Sequence, residues 1–212
     1  MNKLLQELEI LKSNLDKLNT EDISNLDLSK TVLFIVDMNN GFAKQGSLYS
    51  PRIENLIKPI ENFAKHICPK LNRIIAFTDS HTESSIELLN YPIHCLEDSI
   101  ESDIVDELKD IPNLEIIQKN STNGFFALNK INFENIDNII IVGDCTDICI
   151  YQFAITLKSY FNQNNLRKNI IVPINLVDTY DIPNVHNAEL LNIVFLNSMI
   201  QNGINVVKEI LY

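Results

Sequence analysis

The stretch Asn138-Ile139-Ile140-Ile141-Val142-Gly143-Asp144-Cys145-Thr146-Asp147-Ile148-Cys149 decides how this chain folds. It opens with β-branched apolar residues and reaches Gly143, the pattern of a buried strand in a parallel sheet. Thr146 and Asp147 are residue types that begin helices, and an apolar-striped segment follows them. We therefore expect Cys149 in the first turn of a helix that rises from the carboxyl end of a strand. Backbone N–H groups and the helix dipole there lower a thiol's pKa and can hold an oxyanion, which suits a nucleophile.

The composition predicts a single acidic globular domain, alone or with a short extension. The 212 residues are 45% hydrophobic and carry a net charge of −11, which argues against nucleic acid and anionic membranes as partners. Acidic residues occur too early in Met1–Glu9 for a signal sequence, and no apolar run approaches the ~20 residues of a membrane span. The four cysteines suggest no disulfide framework, so we expect a cytoplasmic protein. These cysteines are Cys68, Cys95, Cys145 and Cys149.

The first 30 residues have a pattern of their own. Five leucines recur at helical spacing with polar residues between them, which predicts an amphipathic helix against the body or a neighbouring subunit. The stretch is short for a coiled coil. We divide the chain into an N-terminal helical extension, residues 1–30, and one domain, residues 31–212. The leucines are Leu4, Leu8, Leu11, Leu15 and Leu18.

From Thr31 onward, predicted strands alternate with predicted helices. This alternation predicts a three-layer α/β fold, a Rossmann-like arrangement in which a mostly parallel sheet is flanked by helices. A long polar and irregular segment is expected from Thr78 to about Ser102. The predicted strands are Val32–Val36, Arg73–Phe77, Leu114–Ile117, Ile139–Val142, Asn169–Pro173 and Ile204–Val207, and the predicted helices are Arg52–Cys68, Cys149–Phe161 and Ala188–Asn202.

Polar residues that follow the strands indicate a reactive site. Ligands of such sheets bind beyond the carboxyl ends of the strands, where Asp37, Asp79 and Lys119 occur and from which the chain leads to Cys149. A carboxylate can take the thiol proton, and an ammonium can stabilise the thiolate. The thiolate then attacks an amide or similar carbonyl, and Asp37 returns the proton to the leaving amine. Each residue alone could equally be a loop residue without a function.

Three motifs resemble the isochorismatase-like cysteine hydrolase superfamily, which includes nicotinamidases. Val36-Asp37-Met38-Asn39-Asn40-Gly41-Phe42 resembles its first motif, Lys119 falls at its catalytic lysine, and Gly143–Cys149 resembles its Gly-x-x-Thr-Asp-x-Cys signature. The resemblance covers roughly residues 31–207. It implies a nucleophile at Cys149, with Asp37 and Lys119 as its partners.

The same resemblance implies details of the nucleophile loop. The peptide bond between Asp144 and Cys145 would be cis, and the N–H groups of Cys145 and Cys149 would face the substrate oxygen. The Cys145 side chain would then be a packing residue rather than a second nucleophile. His186 precedes a predicted helix, where capping or an interface is favoured over catalysis.

A metal site is the second feature that the resemblance implies. From the residues alone, Asp79-Ser80-His81 and a distant His94 could be loop residues without a metal. Within the superfamily, Asp79 and His81 match the nicotinamidase Asp-x-His pair and His94 matches a third ligand. Two imidazoles and a carboxylate suit a divalent metal, for which we favour Zn²⁺ over Mn²⁺ or Fe²⁺.

Three positions depart from the nicotinamidase pattern. Glu83 and Glu87 occur where some members have another histidine, and Tyr91 replaces a common tryptophan. Gly41 replaces a common aspartate beside Phe42. Phe42 and Tyr91 would still provide two aromatic walls for a flat or small acyl group.

We therefore predict a metal-assisted, nicotinamidase-like cysteine amidohydrolase that acts on a small-molecule amide. The alternatives are an amidohydrolase of the same superfamily that acts on a ureido or carbamoyl compound, and a non-catalytic scaffold that acts through its leucine-striped helix. Members of the superfamily are usually dimers or tetramers, so a homo-oligomer is expected.

Overall fold

The computed structural model describes residues 3–128 and 132–212, and a six-stranded parallel sheet lies at its centre. The strands are β1 (Glu21–Asp22), β2 (Thr31–Val36), β3 (Arg73–Asp79), β4 (Leu114–Lys119), β5 (Asn138–Gly143), β6 (Asn169–Pro173), β7 (Asn205–Val207) and β8 (Ile210–Leu211). The sheet has the order β4-β3-β2-β5-β6-β7, and every neighbouring pair is parallel. The predicted fold class is confirmed.

Helices connect the strands and cover both faces of the sheet. No helix in the described ranges is long and apolar enough to cross a membrane. The α-helices are α1 (Lys3–Asp16), α2 (Asn40–Ala43), α3 (Pro51–Glu54), α4 (Ile57–Ile67), α5 (Asp106–Lys109), α6 (Tyr151–Gln163) and α7 (Ala188–Gln201), and a π-helical turn, Thr146–Ile150, leads into α6. Short 3₁₀ segments occur at Ile23–Asn25, Leu28–Lys30, Cys68–Lys70, Ile86–Leu89, Ile100–Ser102, Gly124–Ala127 and Ile174–Leu176.

The central strand β2 contributes to two hydrophobic cores. Successive side chains of a strand point to opposite faces, so Leu33 and Phe34 enter different cores. Leu33 belongs to the core that contains Phe63 of α4. Phe34 packs edge-on against Phe153 of α6, with ring centroids 4.8 Å apart. Strand β2 is therefore buried on both faces, which explains its continuous apolar sequence.

The N-terminal segment packs against the body of the protein. Helix α1 contacts α7, where Leu15 is buried and the side-chain amide of Asn197 donates to the Leu11 carbonyl at 3.2 Å. Glu21 of β1 then pairs with Ile210 of β8, so the two ends of the chain are joined by a second, two-stranded sheet. The predicted amphipathic helix is present, and the division of the chain at residue 30 remains a prediction.

Several predicted boundaries were wrong, and one helix was predicted where there are two. The helix predicted for Arg52–Cys68 is divided into α3 and α4. Pro59 explains the division, because a proline has no N–H to donate to the Asn55 carbonyl and the chain must begin a new helix just before it. The irregular segment expected from Thr78 begins at Ser80, because β3 continues to Asp79, and residues 80–102 contain two 3₁₀ turns.

Candidate active site

The carboxyl ends of β2, β3 and β4 bring three charged side chains together. Asp37 follows β2, while Asp79 and Lys119 end neighbouring strands and are register partners. The Lys119 ammonium lies 2.8 Å from Oδ2 of Asp37 and also contacts Oδ1 of Asp79. Each of the three side chains is at most 2% exposed. One buried cation is therefore shared between two buried carboxylates.

Burial and this shared charge set the ionisation of the three groups. Burial raises the pKa of Asp37 to about 7, although the Lys119 charge and the neighbouring Cys149 thiol lower it. Although burial also raises the pKa of Asp79, the Lys119 charge holds it well below its ordinary range. Burial lowers the pKa of Lys119, but the two carboxylates raise it well above the usual lysine range. Asp37 is thus the carboxyl that can exchange a proton near neutral pH.

Cys149 lies in the π-helical turn, beside Asp37. Burial raises the pKa of the Cys149 thiol well above its ordinary value, although the Lys119 charge lowers it. The expectation that the helix terminus would lower this pKa was therefore wrong, because the thiol is almost completely removed from water. A thiol in this environment needs a base to take its proton, and the nearby Asp37 carboxyl is suited to that.

The loop before Cys149 has the backbone conformation that the resemblance implied. The peptide bond between Asp144 and Cys145 is cis. Gly143 has a φ of +113°, and a Cβ at this position would lie 2.1 Å from the carbonyl oxygen of Val36. Only glycine allows the loop to pass so close to β2. The N–H of Asp144 donates to the same Val36 carbonyl at 3.0 Å.

Asp79, His81 and His94 lie together, and Glu87 joins them. The potential ligand atoms of these four residues lie within 4.8 Å of one another. Nε2 of His81 is 3.6 Å from Oδ2 of Asp79 and 3.9 Å from Oε1 of Glu87, and Nε2 of His94 is 3.8 Å from Oδ2 of Asp79. Ligands about 2.0–2.1 Å from a common Zn²⁺ would be roughly 3.3 Å apart, so these three pairs would each close by less than about 1 Å.

Hydrogen bonds orient both imidazole rings toward this cluster. Nδ1 of His81 lies 2.9 Å from Oδ1 of Asn120, and Nδ1 of His94 lies 2.7 Å from the Pro92 carbonyl. Because both partners are acceptors, each Nδ1 carries the proton and each Nε2 is left to bind a cation. Nε2 of His81 is buried and has no hydrogen-bond partner among the described residues. The donor set therefore fits a divalent metal.

A pocket extends from this cluster to Cys149. Phe42 and Tyr91, the predicted aromatic walls, line it on either side of His94, with ring centroids 5.6 and 6.2 Å from the His94 imidazole. The other lining residues are Asp37, Leu48, Ile53, Asp79, Glu87, Thr122, Asp144, Cys145, Ile148, Cys149 and Tyr180. The structure thus brings together every residue that the sequence suggested for the site.

The lining includes a carboxyl that sequence reasoning missed. Asp144 is buried, and its Oδ1 has no hydrogen-bond partner among the described residues. Burial and then the charge of Asp37 raise the pKa of Asp144 well above its usual range. Asp144 occupies a variable position of the Gly-x-x-Thr-Asp-x-Cys signature, so the motif did not indicate a function for this residue.

Asp147 lies in the first helical turn, as expected, but His186 does not cap the helix that follows it. Cys145 occupies the position before the π-helical turn, and the carboxylate of Asp147 instead accepts hydrogen bonds from Thr179 at 2.6 Å and pairs with His186 at 2.9 Å. The residue that caps α7 is Asn187, whose side chain accepts from the N–H of Leu190. Asp147 and His186 therefore connect the π-helical turn to the loop that precedes α7.

The fold and the arrangement of an aspartate, a lysine and a cysteine define the class of protein. Residues 31–160 match the isochorismatase domain, and the chain belongs to this family as an isochorismatase-like hydrolase. More particularly, it is 28% identical to nicotinamidase 1 of Arabidopsis thaliana over 213 residues, which cover 86% of this chain and 87% of that relative.

Solved structures share the fold at lower identity. The yeast nicotinamidase is 21% identical with a TM-score of 0.69, over 84% of this chain and all of that one. N-carbamoylsarcosine amidase from Thermoplasma acidophilum is 21% identical with a TM-score of 0.69, over 84% of this chain and 95% of that one. Pyrazinamidase from Pyrococcus horikoshii, solved in complex with zinc, is 20% identical with a TM-score of 0.65, over 84% of this chain and 98% of that one.

Proposed function

We propose that this protein is a cysteine amidohydrolase that converts nicotinamide, or a close analogue, to the acid and ammonia. The single observation that carries the proposal is the buried arrangement of Lys119 between Asp37 and Asp79, with Cys149 lining the same pocket as the two carboxylates. The similarity to a curated plant nicotinamidase favours this amide over others.

In the first half of the reaction, Asp37 takes the proton of the Cys149 thiol as the sulfur attacks the amide carbon. The Lys119 ammonium stabilises the negative charge that develops on the thiolate. The oxyanion accepts hydrogen bonds from the N–H groups of Cys145 and Cys149. Asp37 then gives its proton to the leaving nitrogen, ammonia departs, and the acyl group remains on Cys149 as a thioester.

In the second half, Asp37 takes a proton from a water molecule that attacks the thioester carbon. The C–S bond breaks, the carboxylic acid leaves, and the proton returns to the Cys149 sulfur. A pKa of about 7 lets Asp37 accept and donate protons at neutral pH, which both halves of the reaction need.

Asp79, His81 and His94 are the proposed metal ligands, with Glu87 as a fourth. A divalent metal bound there, for which we favour Zn²⁺ over Mn²⁺ or Fe²⁺, would supply a Lewis-acid partner for the pyridine nitrogen of the substrate. Glu87 is suitably held, because its Oε2 accepts from the N–H of Thr122 at 2.9 Å and Oε1 faces His81. The pyridine ring would then lie between Phe42 and Tyr91.

Asp144 favours a second candidate, an amidohydrolase for a ureido or carbamoyl compound. Asp144 lines the pocket, and its buried Oδ1 has no hydrogen-bond partner among the described residues. This oxygen could form a hydrogen bond with a polar group of the substrate that nicotinamide lacks. Such a substrate would use the same nucleophile and the same proton acceptor.

The experiment measures ammonia release from nicotinamide, a ureido acid and a short aliphatic amide, together with the metal content of the protein. Nicotinate and ammonia from the wild type, with no turnover by Cys149→Ala and normal turnover by Cys68→Ala, would support the proposal. Turnover of the ureido compound alone would establish the second candidate. If no amide is cleaved and Cys149 is alkylated no faster than the other thiols, the protein is a non-catalytic scaffold.

A further inference from the structure

A loop that approaches the nucleophile turn from the far side of the pocket has no function assigned so far. This loop, residues 178–187, connects β6 and its following 3₁₀ segment to α7. The Asp178 carbonyl accepts from the N–H of Thr146 at 3.0 Å, so the loop begins against the turn that carries Cys149. Residues 181–185 are exposed, and the loop is therefore held to the body at its two ends.

His186 is the side chain that holds the second end. Its Nε2 lies 2.9 Å from Oδ2 of Asp147, and its Nδ1 lies 2.9 Å from the Tyr180 carbonyl. The imidazole also stacks on the Tyr180 ring, with centroids 3.8 Å apart and an interplanar angle of 20°. These three contacts fix the imidazole ring of His186, whose side chain is 13% exposed.

Asp147 connects this histidine to the catalytic turn. It lies two residues before Cys149, and both of its carboxylate oxygens are used by loop 178–187. Oδ1 accepts from the Thr179 hydroxyl at 2.6 Å, and Oδ2 pairs with His186. A displacement of the loop would therefore break contacts that originate within the turn that presents the nucleophile.

Tyr180 is the part of the loop that reaches the pocket. It lines the pocket together with Cys145 and Cys149. Burial raises the pKa of its hydroxyl, and the nearby Cys145 and Asp147 raise it further, which agrees with a position close to the nucleophile turn. Phe42 and Tyr91 line the pocket beside the metal cluster, so Tyr180 adds an aromatic residue from a different segment of the chain.

We propose that Tyr180 is a specificity-determining residue that forms a third aromatic wall for the acyl group, and that His186 positions this wall through Asp147. The proposal rests on the proposed amidase function and narrows it, because a wall of this kind selects amides whose acyl group is a flat ring. An aliphatic amide gains little from the same wall.

The test compares nicotinamide with propionamide in four variants. Tyr180→Ala and His186→Gln should raise KM for nicotinamide roughly three- to tenfold, with kcat and the KM for propionamide nearly unchanged. Tyr180→Phe, which keeps the ring, should behave like the wild type. His66→Gln should do so too, because His66 lies on α4 beside Tyr212. Equal losses on both amides, or no loss in Tyr180→Ala, would overturn the proposal.

A second measurement is independent of turnover. The alkylation rate of Cys149 by phenacyl bromide, which carries a flat ring, is divided by its rate with iodoacetamide. In each case the sulfur displaces the halide and forms a C–S bond. This ratio should fall roughly three- to tenfold in Tyr180→Ala and His186→Gln. If the ratio falls although no amide is hydrolysed, the wall is established and the amidase proposal fails; an unchanged ratio overturns the wall even if nicotinamide is cleaved.

Discussion

The ammonium nitrogen of Lys119 lies 2.8 Å from Oδ2 of Asp37, and both side chains are 1% exposed. The same nitrogen contacts Asp79, so one lysine connects the proposed proton acceptor to the proposed metal ligands. Two ionised carboxylates buried this close together need a cation, because each would otherwise carry an uncompensated charge. Lys119 is therefore the counter-ion of both carboxylates, in addition to its proposed role in the reaction.

Replacement of this lysine should affect stability as well as activity. Lys119→Met should lower the free energy of unfolding by about 3–5 kcal/mol, since it leaves buried carboxylates unpaired. Lys109→Met is the matched control, because Lys109 pairs with the exposed Asp106 at the surface and should cost about 0–1 kcal/mol. Urea denaturation of both variants measures the difference. Equal stabilities would contradict the assignment of Lys119 as the shared counter-ion.

The pKa of Asp37 predicts the pH dependence of the reaction. Only the ionised carboxylate can take the thiol proton, so kcat/KM should rise about tenfold per pH unit below pH 7 and level off above it. Alkylation of Cys149 by iodoacetamide should follow the same curve, because it depends on the same deprotonation. A rate that is constant from pH 5 to pH 7 would exclude Asp37 as the base.

Replacement of Asn120 tests the proposed metal site without changing any of its ligands. Its Oδ1 accepts from Nδ1 of His81 and thereby fixes Nε2 toward the cluster. Asn120→Ala should weaken metal binding about 10–100-fold, the usual cost of removing such a partner. Glu87→Gln should also weaken it, whereas His66→Ala should leave it unchanged. Titration of the metal-free protein with Zn²⁺ gives the dissociation constants, and an unaltered affinity in Asn120→Ala would count against His81 as a ligand.

The strand ends were predictable because each polar residue follows an apolar run. Asp37, Asp79 and Lys119 occur just where β-branched patterns end, and a parallel sheet brings such ends to one edge. The sequence could also suggest Glu87, though only as a substitute for an absent histidine. Each of these residues could be predicted from the residues next to it in the sequence.

The contacts of His186 were not predictable in this way. His186 and Asp147 are 39 residues apart, and no periodicity relates them. Strands β1 and β8 come from the N-terminal and C-terminal parts of the chain and pair with each other. Each has two residues, which is too few to show an alternation of apolar and polar side chains. The pKa of Cys149 was mispredicted because a helix terminus can be read from sequence, whereas the depth of burial around it cannot.

Gly41 and Cys95 form a pair that explains one departure from the nicotinamidase pattern. A Cβ on Gly41 would lie 2.6 Å from Sγ of Cys95 and 3.1 Å from Cβ of Glu101, so no side chain fits there unless its neighbours move. Gly41→Ala should lower the free energy of unfolding by about 1–3 kcal/mol, the cost of overpacking a core.

The same pair allows a double-mutant cycle. Cys95→Ala removes the sulfur that causes the main clash, so the double variant Gly41→Ala/Cys95→Ala should recover much of the stability that Gly41→Ala loses. Cys68→Ala combined with Gly41→Ala is the control, because Cys68 follows α4, its thiol donates to the Lys65 carbonyl, and it is not among the atoms that a Cβ on Gly41 would meet first. Additive effects in both double variants, measured by urea denaturation, would show that the sulfur of Cys95 does not determine the glycine.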